Sequence, residues 1–553
     1  MIVAESALRL DATWVDYAIV ALYFVFVLGI GWAARSRVSS SIDFFLSGRS
    51  LPAWVTGLAF ISANLGAVEI VGMSANGVQY GFQTMHYFWI GAVPAMVFLG
   101  IVMMPFYYGS KVRSVPEFML RRFGPGAHLV NAISFAVAQL LIAGINLLLL
   151  AKVVNSLLGW PLIVTLIIAA VIVLSYITLG GLSAAIYNEV LQFFVIIAAL
   201  LPLTLIGLHN IGGWQGLKNA VENESHFHTW PGTEISGFDN PVVSVIGLTF
   251  GLGFVLSFGY WTTNFVEVQR SMAADSLSSA RKTPIIGAFP KMFVPFVVVV
   301  PGMIAGATVT PIMNGSAEPN DAMLYLMRDL LPNGLLGVAL AGLLAAFMAG
   351  MAANISAFNT VMSYDIWQGY VVKDKHDDYY TKVGRTATVA ATLIAVFTAL
   401  IAENFGNVMD YLQTLFGFFN APLFATFILG MFWKRMTPTA GWVGLVMGTL
   451  SAMGYWAIAT FSGVEADFFN LPGQGTAFVA ASIAFVVDIV FSIVVSMMTK
   501  PKPDHELVGF VKSVTPKENL TDAAEASLPW YNRTVPLGIL CIVLVIALNV
   551  IFA

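Results

Sequence analysis

Ala59-Phe-Ile-Ser-Ala-Asn-Leu-Gly-Ala-Val-Glu-Ile-Val-Gly-Met73 is the stretch on which the reading of the whole chain turns. It is apolar enough for a bilayer, yet Ser62, Asn64, Gly66 and Glu69 crowd its middle. Glycine lowers helix stability by about 1 kcal/mol relative to alanine, and an asparagine side chain can bond its own backbone and compete with the helix. An unwound segment here would expose carbonyls able to hold a cation, and half-helix ends that carry partial charge. The alternative is a continuous helix whose polar residues pack against a neighbour. Either way, the Glu69 carboxylate lies near the middle of the segment and needs a partner, a cation or a proton.

Outward from that stretch, the composition agrees with a membrane setting. Of 553 residues, 58% are hydrophobic and only 10% charged, against about 25% charged in soluble domains. This excludes an ordinary cytosolic enzyme, a nucleic-acid binder and a disordered scaffold. The acidic residues Glu5, Asp11 and Asp16 argue against a cleaved signal peptide. Cys541 is the single cysteine, so neither an intrachain disulfide nor a cysteine metal cluster is available. No phosphate-loop or HExxH motif occurs, which leaves ATP drive and zinc hydrolysis without residues.

Apolar runs of about 20 residues mark spans. About fourteen are expected, near 14–34, 52–79, 85–110, 127–157, 161–179, 183–209, 242–269, 284–312, 336–368, 383–402, 408–432, 438–461, 475–499 and 536–553. Of the 26 lysines and arginines, 21 fall in alternate loops, including Arg35, Arg37, Lys111, Arg113, Arg281 and Lys434. Arg9, Lys218 and Arg328 are on the other side. The positive-inside rule then predicts a multi-pass plasma-membrane protein with both termini outside. The longest outer loops are Asn210–Asn240 and Met313–Leu335, and Lys500–Arg533 reads as a polar, helix-poor linker.

Ionisable residues inside spans are functional candidates by default. Besides Glu69, Lys291 stands between Pro290 and Pro295, which distort the helix around it; it either serves a site or snorkels to the interface. Glu189 is read as an ion-path residue or as a solvated residue near a helix start. Asp365 and Asp410 fall near span ends and are expected to be capping or interfacial, and Lys152 to snorkel. Span nine, Ala341-Gly-Leu-Leu-Ala-Ala-Phe-Met-Ala-Gly-Met-Ala-Ala-Asn-Ile-Ser356, is rich in small residues that permit close backbone approach.

Several motifs carry a resemblance: Phe44-Phe-Leu-Ser-Gly-Arg-Ser-Leu-Pro52, Ser62–Met73, Lys111-Val-Arg-Ser-Val-Pro-Glu-Phe118, Gly180-Gly-Leu-Ser-Ala184, Val268-Gln-Arg270 and Gly430-Met-Phe-Trp-Lys434. Together they resemble the sodium:solute symporter family, and within it the pattern is similar to the bacterial sodium/galactose symporters. The resemblance implies an all-α polytopic protein with a LeuT-type core of two inverted five-helix repeats, each opening with a broken helix. The implied organisation is an N-terminal span and cytoplasmic loop over 1–51, a first repeat over 52–209 and an external loop over 210–241. A second repeat over 242–435 and peripheral C-terminal spans over 436–553 complete it. Breaks are expected at Asn64–Gly66 in span two and near Ser257–Thr262 in span seven.

Carried over position by position, the family's sugar site implies Asn64, Tyr87, Tyr260, Lys291 and Gln413 as solute contacts, with Tyr260 as an inner gate. Glu69 stands where the family has glutamine, Phe88 where it has glutamate, Gly91 where it has serine and Ser257 where it has asparagine. These four changes point away from galactose itself and toward another small polar solute. The family's sodium site maps onto Ser62, Leu65, Ala346, Ala349 and Gly350. Two of its hydroxyl positions, 349 and 350, carry no side-chain oxygen here, whereas a hard cation takes about six oxygens. Glu189 takes the place of an aspartate on the ion exit path. The resulting expectation is a cation-coupled importer of a small polar organic solute, a sugar among the options. Sodium is the family's coupling ion; a proton carried by Glu69, uniport, and a sensor without transport are the rivals. Neither a cofactor, a nucleic acid nor a protein partner is implied, and no enzymatic residue set is found.

Overall fold

The structure is a computed structural model and describes residues 8, 10–34, 41–402, 408–463, 471 and 473–553; Arg9, Arg35 and Arg37 lie outside the described residues. Among the described residues twelve helices are long and apolar enough to cross a membrane, or thirteen when the bent pair formed from span two counts as one span. The expected count of fourteen is therefore not confirmed among the described residues. Segments 161–179 and 183–209 belong to one helical run, Leu162–Asn210. Within it Leu182–Asn210 has the length of a span, while Leu162–Ser175 is a shorter apolar helix.

Span two breaks as the sequence predicts. The helix Ala53–Asn64 stops, Leu65 (φ −69°, ψ 42°) and Gly66 (φ −73°, ψ 178°) leave the helical region, and Ala67–Tyr80 resumes at an angle of 54°. The Glu69 N–H, which an unbroken helix would give to the Leu65 carbonyl, goes instead to Gly66 (3.1 Å). Span seven breaks slightly later than expected. The helix Phe258–Thr263 ends at Asn264 (φ −70°, ψ 118°). The Asn264 side chain then caps Phe265–Met272 by accepting from the Val266 N–H (3.0 Å), because an asparagine at a helix start satisfies an otherwise unpaired amide.

Span eight is interrupted where its prolines fall. Pro295 has no N–H to give the Lys291 carbonyl, and the helix Leu277–Lys291 gives way at Met292 and Phe293 to Val294–Thr308. The Trp89 indole N–H bonds the Met292 carbonyl (2.9 Å) and ties this interruption to span three. Glycine brings the broken pieces together. A Cβ on Gly77 would stand 2.3 Å from the Val299 carbonyl, and one on Gly302 2.0 Å from the Ser74 carbonyl, so only glycine lets Ala67–Tyr80 lie this close to Val294–Thr308. Span nine, Leu335–Thr360, is buried almost all round. It packs on Ala53–Asn64, Pro125–Leu158 and Leu162–Asn210, as an all-apolar helix in a core must.

Candidate solute site between the two broken helices

One cavity lies against the break in span two and the turns before the break in span seven. The space between its walls, open mouth included, is about 820 Å³. All eight solute-site residues expected from the sequence, Asn64, Glu69, Tyr87, Phe88, Ser257, Tyr260, Lys291 and Gln413, line it. Tyr87 and Phe88 reach it from the wide, π-type turn Tyr87–Ala92, and Ser257 from the end of a second such turn, Gly247–Ser257. Turns of this kind bulge a helix and cluster at functional sites.

At the centre the Lys291 ammonium donates to the Glu69 carboxylate and to the Asn64 carbonyl oxygen. Lys291 is 1% exposed and Glu69 8%, so Lys291 does not snorkel. The ammonium also stands 4.9 Å above the Phe88 ring and 5.1 Å above the Trp261 ring, where ring faces attract a cation. Phe88 thus takes part through its π face where the family has a carboxylate. Glu69 and Lys291 are thus in direct contact within the buried site.

From this pair a hydrogen-bonded chain leads away. The Asn64 amide N–H donates to the Tyr260 hydroxyl (3.1 Å), which donates to Glu267 (2.6 Å). Tyr260 also packs on Phe416, ring centres 4.5 Å apart. The gate expected of Tyr260 is therefore anchored at both ends. Glu267 was not singled out from the sequence; its proximity to the Asn264 cap was the available signal. Beyond it, Arg270 holds Glu189 through two bonds (2.5 and 3.2 Å), both side chains being wholly buried. Glu189 is thus no solvated helix terminus.

Several polar groups that line the cavity, the Asn146 amide oxygen among them, lack a hydrogen-bond partner among the described residues. The Tyr87 hydroxyl is buried without a partner, and Gln413, 4% exposed, makes no side-chain hydrogen bond among the described residues. Both line the cavity. Replacing Gln413 with alanine should leave a hydroxyl or amide of the bound solute unpaired, a loss of about 1–3 kcal/mol. A rise of roughly 10- to 100-fold in KM for uptake is expected, with membrane insertion intact; an unchanged KM would remove Gln413 from the site.

The expected cation residues also converge. The Gly66 backbone lies against Gly350 and the Ala346 carbonyl, and Ser62, Leu65 and Ala349, their neighbours in sequence, are buried. Asn146, on Pro125–Leu158, points its amide oxygen into the same place. The sequence reading missed it, although a lone asparagine in the apolar run Ile145-Asn-Leu-Leu-Leu-Leu150 was a signal. Asp365 corrects another expectation: it is no interfacial residue but is buried, bonded to Ser114 (2.6 Å) and His128 (2.9 Å). Asp410 is half-buried in the first turn of Val408–Phe432, in keeping with a residue at a span end. Lys152 approaches Glu318 at 3.8 Å. Asp488, bonded by Thr426 (2.8 Å) and Ser492 (3.0 Å), is a further buried carboxylate that the reading overlooked.

A cavity between two interrupted helices, walled by aromatic rings and centred on a paired charge, defines a LeuT-type secondary carrier. The chain belongs to the sodium:solute symporter family, whose model matches residues 44–448, a family of transporters and not of enzymes. A sodium/glucose cotransporter of Vibrio parahaemolyticus is 29% identical over 463 residues, covering 78% of this chain and 83% of its own. Human sodium/glucose cotransporter 4 is 30% identical over 465 residues, with 78% and 68% covered. Among solved structures, a Na+-coupled sialic acid symporter in a substrate-bound outward-open state shares the fold. Its TM-score is 0.75 at 18% identity, over 89% of this chain and 99% of that one.

Proposed function

We propose that the protein imports a small, uncharged, hydroxyl-rich solute of the sugar class by alternating access, driven by sodium. The observation that carries this reading is the Glu69–Lys291 pair facing the cavity. A charged solute would have to compete with one member of a satisfied pair, and leaving a buried charge unpaired is costly. Neutral hydroxyls can instead accept from Lys291 and donate to Glu69 without breaking it, while Tyr87, Tyr260 and Trp261 offer ring faces. The names of the relatives, sodium/glucose cotransporters, support both the solute class and the ion. In this reading the two repeats cover 52–209 and 242–435, and the excess of lysine and arginine in alternate loops supports a plasma-membrane protein with both termini outside.

Proteoliposomes loaded with buffer and diluted into sodium or into potassium, at equal pH inside and out, test this. Labelled hexoses and inositols should accumulate only with an inward sodium gradient, and a proton gradient alone should drive nothing. Uptake driven by pH without sodium, or restricted to charged solutes, would overturn the reading. Solute binding without any uptake would favour a sensor.

A further inference from the structure

The family's sodium site lacks both of its side-chain hydroxyls in this chain, at Ala349 and Gly350. The structure shows what fills the space. A Cβ placed on Gly350 would stand 2.6 Å from the Asn146 amide oxygen and 3.3 Å from the Gly66 Cα. A side chain at 350 and an asparagine at 146 therefore exclude each other, and the Asn146 oxygen occupies the volume that a hydroxyl at 350 would use. Its orientation is fixed: the Asn146 amide N–H donates to the Ile142 carbonyl (3.2 Å), which turns Oδ1 toward the break. Asn146 is 2% exposed, and this oxygen accepts no hydrogen bond. Ser62, wholly buried at the end of the first half-helix, likewise carries an unpartnered hydroxyl. The same face of Gly66 looks onto both the Asn146 oxygen (3.4 Å from an ideal Cβ) and the Ala346 carbonyl (3.7 Å). A buried acceptor left unpaired is costly, and the Asn146 oxygen, beside the Gly66 break and the Ala346 carbonyl, is arranged for a hard cation, which takes oxygen ligands alone; Ser62 adds a buried hydroxyl one turn before the break.

We propose that Asn146 is a sodium-ligating residue: its Oδ1 replaces the missing hydroxyl at 350, and the ion is held by Asn146, Ser62 and the carbonyls of the span-two break and Ala346. The ligand is thereby moved from span nine to span four. This rests on sodium as the coupling ion, and the test separates the two claims. Binding of radiolabelled sodium to the full chain in detergent, without solute and against a potassium background, is measured for four proteins. The wild type binds saturably. Asn146→Ala weakens binding at least 10-fold. Asn146→Ala combined with Gly350→Ser returns the affinity to within about 3-fold of wild type, which a merely structural asparagine would not allow. Asn146→Asp, nearly isosteric, keeps an oxygen in place, binds sodium at least as tightly and serves if the alanine variant does not elute as a folded protein. Wild-type affinity in a folded Asn146→Ala protein, or no recovery in the double variant, would overturn the role of Asn146 while leaving sodium coupling standing. A wild type that binds no sodium would overturn both.

Discussion

Lys291→Ala is expected to reduce solute uptake by at least 100-fold while the protein still inserts. The substitution removes the ammonium that Glu69 and Asn64 share and leaves Glu69 buried without its counter-charge. Removing one member of a buried pair costs about 3–5 kcal/mol, which is about two to four powers of ten in an equilibrium. Part of that loss falls on folding and part on the bound state, so uptake and thermal stability are measured together. The double variant Glu69→Gln with Lys291→Met separates the parts. It removes both charges, so stability should return toward wild type, while transport stays low because the Lys291 contact to the solute is gone. Normal uptake by Lys291→Ala, or full recovery of uptake in the double variant, would show that the pair is scaffolding and that the solute binds elsewhere.

Arg270→Ala should be nearly as damaging, for a different reason. Arg270 grips Glu189 through two nitrogens and also donates to the Val266 carbonyl (2.9 Å), joining Phe265–Met272 to Leu162–Asn210 beyond the Tyr260–Glu267 contact. Its loss strands a carboxylate with no exposure at all and lowers both the thermal midpoint and the maximal uptake rate. Arg270→Lys should rescue only partly, because a lysine cannot reproduce the forked, two-bond geometry. Glu189→Gln should be milder than Arg270→Ala, since an amide can still accept from the guanidinium. The reverse order, or a wild-type rate in Arg270→Ala, would rule out this pair as the closure of the path behind the cavity.

The sequence made the span-two break legible because Asn64 and Gly66 each disfavour a helix within their own turn, so no tertiary information was needed. Span seven shows the limit of that logic. Its break moved to Asn264 because that side chain has an amide to cap, whereas Ser257–Thr262 continue the helix into it. The eight residues taken from position-by-position comparison line one cavity, but that comparison did not give the bond between Glu69 and Lys291. That bond depends on how closely spans two and eight approach, which Gly77 and Gly302 set across more than 200 residues of chain. Asp365 was misjudged for the same reason: its partners His128 and Ser114 come from another span and a loop helix. Asn146 escaped notice because an asparagine that bonds its own helix is usually mere packing, and only its unpaired oxygen distinguishes it.

The balance of charge at the centre of the cavity has an electrical consequence. Glu69 and Lys291 cancel, so a neutral solute adds nothing to the charge of the moving core. Each sodium ion that accompanies it carries one uncompensated positive charge across the bilayer. The membrane potential then works directly on the cycle, at about 2.3 kcal/mol per charge for every 100 mV. For one ion per solute this alone supports roughly 50-fold accumulation when the sodium concentrations on the two sides are equal, so an inside-negative voltage can fill the cell even where external sodium is scarce.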